Sequence, residues 1–212
     1  YTASDLAAMG FSAMELKAVN YTPSELLPAG FNATQLREVG FGAEELKRAG
    51  YSLPALHEAG FSPAELYADA GYSAAELKEE VGLSASQLLS AGCTAPELKA
   101  VGFTAHDLRV AGCSLGAAKA AGYGAQELKA AAFTVSEMKA NGFSAADLRA
   151  AGFLVVELLP AFSIAEVKAA GYDLREMREG GLTLAELARL DYPLDTLLDA
   201  GFLAVEFRKA KY

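Results

Sequence analysis

Large apolar residues recur about every five positions along the chain, and every second one opens a unit of about ten residues. Aligned on that opening residue, usually Phe or Tyr, the chain divides into 21 repeats. A typical one is repeat 15, at 143–152, with the sequence Phe-Ser-Ala-Ala-Asp-Leu-Arg-Ala-Ala-Gly. Repeats 1 to 21 begin at Tyr1, Phe11, Tyr21, Phe31, Phe41, Tyr51, Phe61, Tyr72, Leu83, Cys93, Phe103, Cys113, Tyr123, Phe133, Phe143, Phe153, Phe162, Tyr172, Leu182, Tyr192 and Phe202.

Positions two and five of the repeat carry the start signal of an α-helix. Position two is Ser or Thr in fourteen repeats, and position five is Asp or Glu in sixteen. A hydroxyl followed three residues later by an acid is a capping box, in which each side chain accepts a hydrogen bond from the other residue's backbone N–H. The pattern therefore predicts a helix that begins at position three of each repeat.

Positions one, six, seven and ten complete the unit. Position six is apolar in every repeat, and seventeen of the twenty aromatic residues fall at position one. Both positions are predicted to face the core, where they form the two halves of a hydrophobic staple. Position ten is Gly in sixteen repeats, which predicts a left-handed residue that ends the helix. Position seven is Lys or Arg in thirteen repeats, near the helix C-terminus, where positive charge is favourable.

A helix of about seven or eight residues is unstable alone in water, so stability must come from stacking. We therefore predict an all-α fold, a solenoid or superhelix of about 21 short capped helices, one for each repeat. The alternative is a right-handed β-helix of the pentapeptide type, because a large apolar residue recurs every five positions. That fold requires small residues two places before each large one, and here those places include Met14, Glu44, Pro54, His106 and Arg175.

Three repeats depart from the length of ten residues. Those at 61–71 and 72–82 have eleven residues, and the one at 153–161 has nine. Each added or missing residue rotates the next part of the chain by about 100° of helix, so we expect a change of curvature or a looser joint near 69–82.

The whole chain, 1–212, is predicted to be a single domain, since no spacer rich in Pro, Gly and Ser divides the array. The register is already complete at Tyr1, which suggests a piece of a longer array. The C-terminal third, 153–212, diverges most from the typical repeat.

Apolar residues accumulate in that C-terminal third. The segment 153–162 lacks the capping hydroxyl, the position-seven cation and the glycine. Local repacking accounts for such a segment, and an exposed patch that binds a protein partner or a second copy is the other interpretation. The candidate partner-binding residues are Leu154, Val155, Val156, Leu159, Leu194, Leu198 and Leu203.

Composition and motifs argue against several other functions. The chain has 27 acidic and 18 basic residues, and its formal charge of −9 disfavours nucleic-acid binding. No stretch of eighteen apolar residues occurs, so we expect no membrane insertion. No nucleophile elbow, phosphate loop, zinc spacing or dinucleotide fingerprint is present. We therefore predict no catalytic residue, cofactor, metal or small-molecule substrate, and we assign the position-five acids to capping rather than to calcium.

Two histidines and two cysteines remain as candidate chemistry. His57, at position seven, and His106, at position four, are expected to be solvated. Cys93 and Cys113 replace aromatic residues at position one, where they are expected to be small core residues. A disulfide between them is the alternative, and it requires Cα atoms within about 7 Å.

The unit Phe-Ser-Ala-Ala-Glu-Leu-Lys-Ala-Ala-Gly, nearly spelled by 143–152 and 11–19, resembles ten-residue repeats that form long arrays in some protist, algal and bacterial proteins. The resemblance covers essentially the whole chain and implies no catalytic residues. More distantly, the array is similar to tetratricopeptide and armadillo solenoids, which implies protein binding. We expect a non-enzymatic scaffold or spacer within a larger assembly, with recognition of a protein partner through the C-terminal third as the alternative.

Overall fold

The computed structural model describes residues 1–210 and contains only short helices, with no strand among these residues. The all-α prediction is therefore confirmed, and the β-helix alternative is wrong. The chain divides into two compact units, Tyr1–Cys113 and Ser114–Tyr212.

The first unit holds α1 to α10 and, in repeat 7, a π-helical turn. These elements are α1 (Ala3–Ala8), α2 (Ala13–Ala18), α3 (Pro23–Leu26), α4 (Ala33–Glu38), α5 (Ala43–Arg48), α6 (Leu53–Glu58), the π-helical turn (Glu65–Asp69), α7 (Ala74–Val81), α8 (Ala85–Ser90), α9 (Ala95–Ala100) and α10 (Ala105–Val110).

The second unit holds α11 to α20 and, in repeat 19, a 3₁₀ turn. These elements are α11 (Leu115–Ala120), α12 (Ala125–Ala130), α13 (Val135–Ala140), α14 (Ala145–Ala150), α15 (Val155–Leu158), α16 (Ile164–Ala169), α17 (Leu174–Glu179), α18 (Leu184–Leu187), the 3₁₀ turn (Ala188–Leu190), α19 (Leu194–Asp199) and α20 (Ala204–Ala210).

Most helices begin with the capping box that positions two and five predict. In repeat 2, the backbone N–H of Ser12 donates to Glu15 Oε2 at 2.8 Å, and the backbone N–H of Glu15 donates to Ser12 Oγ at 3.3 Å. Asn32 and Gln35 form the same reciprocal pair, with both distances at 2.9 Å. Each box satisfies two backbone donors that a helix start leaves without a partner.

Helix ends follow the predicted glycine stop. All sixteen position-ten glycines have a positive φ, and Asn20, Ala132 and Asp191 adopt the same left-handed conformation in place of glycine. Of the twenty repeats that are followed by another, only the nine-residue repeat 16 has no such residue within the described chain. There, the backbone N–H groups of Ala161 and Phe162 both donate to the carbonyl of Leu158, which closes the shorter turn.

Replacing Gly112 by Val is expected to lower the free energy of unfolding by about 1–2 kcal/mol more than replacing Gly42 by Val. Gly112 has φ +82°, and a Cβ added there meets no heavy atom within 4 Å, so the penalty comes from the backbone conformation. Gly42, the N-cap of α5, has φ −81°, which any residue adopts. Urea unfolding followed by circular dichroism measures both variants, and equal losses would contradict this account of the helix ends.

The core contains three columns of residues, one more than the sequence pattern predicts. Position six is fully buried in nearly every repeat, as in Leu36 and Leu148, and most position-one residues are also buried. These two predicted columns are confirmed. Position three is buried as well, as in Ala33 and Ala145, and it forms the third column.

Within each unit, the main helix contacts join repeats that lie two apart. In the first unit α3 contacts α1 and α5, and in the second unit α14 contacts α12 and α16. Neighbouring helices in sequence make further contacts, as between α4 and α5. Two repeats, or about twenty residues, therefore complete one period of the stacking.

The two eleven-residue repeats absorb their extra residues within their own helices. In repeat 7 the backbone N–H of Ala70 donates to the carbonyl of Glu65, five residues earlier, which makes the π-helical turn. Repeat 8 instead has the longer helix α7, which ends at the left-handed Gly82. Leu66 and Leu77 both stay fully buried, so the core is continuous through these two repeats.

Candidate functional site

The position-seven cations join repeats that are distant in sequence. Lys17 Nζ donates to the carbonyl oxygen of Val39 at 2.7 Å and lies 4.2 Å from the centre of the Phe41 ring. A cation in one repeat thus caps the helix end two repeats further along and covers the ring that opens the repeat after that. We call this arrangement the clamp. It combines a cation at a helix C-terminus with a cation–π contact.

The clamp recurs in both units. In the second unit, Lys139 Nζ donates to the carbonyl of Ala161 at 2.9 Å and lies 4.4 Å from the centre of the Phe162 ring. The cations of the described clamps are Lys17, Arg37, Lys47, Lys78, Lys119, Lys129, Lys139, Arg149, Lys168 and Arg178. The sequence had suggested that each cation serves its own helix, whereas the structure shows that it also serves another.

Four clamps also include the position-five acid of the repeat that contributes the ring, three repeats after the cation. The ion pairs are Lys129–Glu157 at 3.0 Å, Lys139–Glu166 at 2.9 Å, Arg149–Glu176 at 3.4 Å and Arg178–Glu206 at 3.9 Å. The hydrogen bond from Lys139, followed by those from Ser163, lowers the pKa of Glu166 to about 2. One carboxylate here caps its own helix and anchors a cation from another repeat.

The ring and the cation of a clamp are replaced together. Where position one of a repeat is not aromatic, position seven of the repeat three places earlier is not Lys or Arg. Among repeats 1 to 18, only Ala7 and Leu27 break this match, because aromatic residues occupy position one three repeats after each of them. The matched pairs are His57 with Leu83, Tyr67 with Cys93, Leu89 with Cys113, and Leu159 with Leu182. The chain therefore changes both halves of a clamp together.

The Tyr67–Cys93 pair shows how one such replacement works. Tyr67 Oη donates to Glu97 Oε1 at 2.8 Å and lies beside the Cys93 thiol. The bond to Glu97, followed by burial, raises the pKa of Tyr67 to about 12. The neutral phenol of Tyr67 thus contacts repeat 10, three repeats further along, as the cation of a clamp does.

The other candidate residues do not form a reactive group. Cys93 is buried, Cys113 is half-buried, and they do not form a disulfide, so the disulfide alternative is wrong. His106 is exposed as expected, but His57 is half-buried with its Nδ1 enclosed and unpaired, so its prediction as a solvated residue is wrong. Within residues 1–210, no group of three or more His, Cys, Asp and Glu side chains is placed to hold a metal ion.

The predicted partner-binding residues lie in different environments. Leu154 is 64% exposed and Val156 is 56% exposed. Val155 is only 2% exposed because it occupies the buried position three, so its inclusion in the surface is wrong. Leu159 is half-buried, while Leu194, Leu198 and Leu203 are exposed four and five repeats further along the chain.

Leu154 and Val156 line a cleft of about 300 Å³ between repeats 15, 16 and 18. Leu154 stands at the N-cap position, where its side chain has no oxygen to accept a backbone hydrogen bond, so only the reciprocal half of the box remains. That half is the bond from the Leu154 N–H to Glu157 Oε2 at 2.6 Å. The cleft is lined by Arg149, Gly152, Phe153, Leu154, Val155, Val156, Tyr172, Glu176, Glu179 and Gly180.

Gly180 forms one wall of this cleft because Val155 fills the adjacent space. A Cβ added to Gly180 would lie 2.6 Å from Val155 Cβ and 3.2 Å from the backbone nitrogen of Val156. Position nine is Ala or Val in most other repeats, and position three is more often Ala than Val. The larger residue at 155 is therefore matched by a smaller one at 180.

Replacing Gly180 by Ala is expected to lower the free energy of unfolding by about 1–2 kcal/mol through overpacking. In a Val155→Gly background, the same replacement should cost much less, because both the Cβ and the Cγ1 of Val155, each 2.6 Å from the added carbon, are gone. A double-mutant cycle by urea unfolding measures a coupling of about 1 kcal/mol or more if the two side chains compete for the same space. Additive effects would show that they do not.

Comparisons with known proteins identify the repeat but no individual relative. The family described as "Decapeptide repeat region" matches at residues 1–70, 71–144 and 102–173. Neither a curated protein nor a solved structure matches the chain. Within residues 1–210, every helix is too short or too polar to cross a lipid bilayer. The three matches together span residues 1–173, and the ten-residue helical unit is seen in both units of the fold. This chain therefore belongs to the decapeptide repeat family.

Proposed function

We propose that the chain is a non-enzymatic structural repeat array, which acts as a spacer or scaffold within a larger assembly. The observation that carries the proposal is the clamp, because it uses the main cation of a repeat to hold later repeats in place. Position-five acids are likewise used at helix starts, as Glu15 is in repeat 2. The acid of the repeat thus stabilises its own helix, and the cation stabilises the stacking of helices.

Chemistry at a surface site would require polar groups that are left available and gathered in one place. The ten described clamp cations are instead distributed over both units, each at position seven of a different repeat. A uniform stack of short helices, joined at regular intervals, suits a part that keeps other parts of an assembly at a fixed separation.

Spin labels within the first unit test whether the array keeps fixed distances. Ala18, Glu38 and Glu58 are exposed and occupy position eight of repeats 2, 4 and 6. Labels are attached to cysteines at these sites in a background in which Cys93 and Cys113 are replaced by Ser. A spacer should give narrow distance distributions. The 18-to-58 distance should be about twice the 18-to-38 distance, since 18-to-38 and 38-to-58 each cover two repeats.

Variants at two cations make this test specific to the clamp. Lys17→Met removes the clamp that joins repeat 2 to Val39 in repeat 4, and it should broaden the 18-to-38 distribution. Arg48→Gln serves as the control, because Arg48 pairs with Glu44 inside its own helix. Broad distributions in the unsubstituted array, or an 18-to-58 distance far from twice the shorter one, would contradict the spacer proposal.

Recognition of a protein partner through the C-terminal third is a second candidate function. It is supported by the exposure of Leu154 and Val156 beside a cleft, since adjacent exposed aliphatic residues are typical of interaction sites. Charged substitutions at Leu154 and Leu203 should change partner binding or the oligomeric state, measured by sedimentation. If partner binding and the oligomeric state both stay unchanged, this candidate is contradicted.

A further inference from the structure

We propose that the cleft between repeats 16 and 18 binds a short protein segment that places an apolar side chain next to a lysine or arginine. This inference rests on the second candidate function, and it is independent of the spacer function. It assigns both the location of the site and the chemistry of its partner.

The apolar half of the partner follows from the side chains at the mouth of the cleft. Leu154 and Val156 line the cleft and keep 64% and 56% of their surface exposed, while Val155 and Phe153 form a buried wall behind them. A partner side chain that covers the two exposed residues would remove apolar surface from water. A volume of about 300 Å³ is at the lower limit of ligand sites, which suits one or two side chains.

A comparison with the equivalent groove in the first unit shows that repeat 16 is unusual. That groove has a volume of about 420 Å³ and is lined by Arg37, Phe41 and Glu65. The same repeat positions in the cleft are held by Arg149, Phe153 and Glu176. That groove has Gly42 at the position of Leu154. The groove thus recurs as part of the fold, and Leu154 makes it apolar in repeat 16.

The basic half of the partner follows from the charges that line the cleft. Arg149 is already engaged, because its guanidinium lies 5.0 Å from the centre of the Tyr172 ring and 3.4 Å from Glu176 Oε2. Glu179 forms no ion pair or side-chain hydrogen bond within residues 1–210. Its carboxylate is therefore available to a cation beside the apolar surface, and the formal charge of −9 favours the approach of a basic segment.

A random heptapeptide display library selected on the full chain, followed by comparison of the enriched peptides on a Leu154→Ser variant, tests the proposal. This variant is well suited to the purpose, because it gives repeat 16 the capping hydroxyl that fourteen repeats carry and should fold at least as well as the natural chain. Enriched peptides are expected to carry Leu, Ile, Met or Phe beside Lys or Arg. No enrichment, or enrichment of acidic peptides, would overturn the proposal.

Synthetic copies of the enriched peptides are then measured by fluorescence anisotropy. Leu154→Ser should weaken binding about tenfold, a loss of about 1.4 kcal/mol, and Glu179→Gln should weaken it about threefold. Gly42→Ser, at the equivalent place in repeat 5, is the matched control and should leave binding unchanged. Equal binding to the natural chain and to Leu154→Ser would exclude the cleft as the site.

The same peptides separate failure of this inference from failure of the second candidate function. If Leu194→Glu or Leu203→Glu removes binding while Leu154→Ser does not, recognition by the C-terminal third stands and the cleft assignment is wrong. If none of these variants changes binding, both are wrong. The spin-label distances in the first unit decide the spacer proposal separately from either outcome.

Discussion

Acidification from pH 7 to pH 2 is expected to unfold the array, with the loss of stability confined to the range below about pH 4.5. In the described part of the chain, eleven position-five acids have a pKa below the ordinary value for their type. They are Asp5, Glu15, Glu25, Glu65, Glu76, Glu97, Asp107, Asp147, Glu157, Glu166 and Glu186. The same chemical event should therefore weaken many helix starts over one pH range.

The direction of this effect follows from proton binding. A carboxylate that accepts hydrogen bonds at a helix start holds its proton less tightly in the folded chain than in the unfolded chain. Between the two pKa values the unfolded chain binds more protons, so the free energy of unfolding decreases as the pH falls. The stabilisation is complete above the ordinary values of 3.8 for Asp and 4.5 for Glu, and for Glu166 it is lost as the pH falls towards about 2.

Urea unfolding at a series of pH values between 7 and 2 measures this prediction, and glutamine provides the control. Gln35 and Gln87 already occupy position five, where each accepts a backbone N–H at 2.9 Å without titrating. Substituting Gln for Glu15, Glu76 and other acids of the set should therefore reduce the pH dependence and keep the caps. A free energy of unfolding that stays constant from pH 5 to pH 2 would contradict the assigned role of these acids.

The boundaries of the helices could be predicted because their signals lie within one repeat. A capping box joins residues three apart, and a left-handed stop needs only a suitable residue at position ten. Ser12 with Glu15 and Gly112 with its positive φ are both local arrangements of this kind. The position-six core was equally accessible, since a column that is apolar in every repeat indicates a buried face.

The contacts between repeats could not be predicted from one repeat, because they depend on the period of stacking. Lys17 bonds to a carbonyl 22 residues away, and nothing inside repeat 2 identifies that partner. The burial of position three has the same origin, and it explains the error at Val155, which lies in an apolar run but faces a helix two repeats away. In the sequence, the matched loss of a ring and of the cation three repeats earlier was a signal of contacts between distant repeats.

Replacing Cys93 by Phe is expected to lower the free energy of unfolding by about 3 kcal/mol, at the upper end of the range for overpacking. Cys93 is 4% exposed, and the Tyr67 side chain already occupies the space beside it. The position itself accepts an aromatic ring in most repeats, so the obstacle is the tyrosine from three repeats earlier. A second substitution, Tyr67→Lys, should therefore restore much of the loss, because it recreates the pair found in the clamp of Lys17 and Phe41.

The single and double variants form a cycle whose outcome shows whether the two halves of a clamp depend on each other. If the cation and the ring act as a pair, Tyr67→Lys alone is also unfavourable, because it removes the bond to Glu97 and presents a cation to a buried thiol. The double variant is then more stable than the sum of the single effects predicts, by about 1–3 kcal/mol in thermal or urea unfolding. If each position acts alone, the effects add, and the match between position seven and position one has no energetic basis. Phe41→Cys tests the same pairing from the opposite side, since it leaves Lys17 above a small side chain and should be partly rescued by Lys17→Tyr.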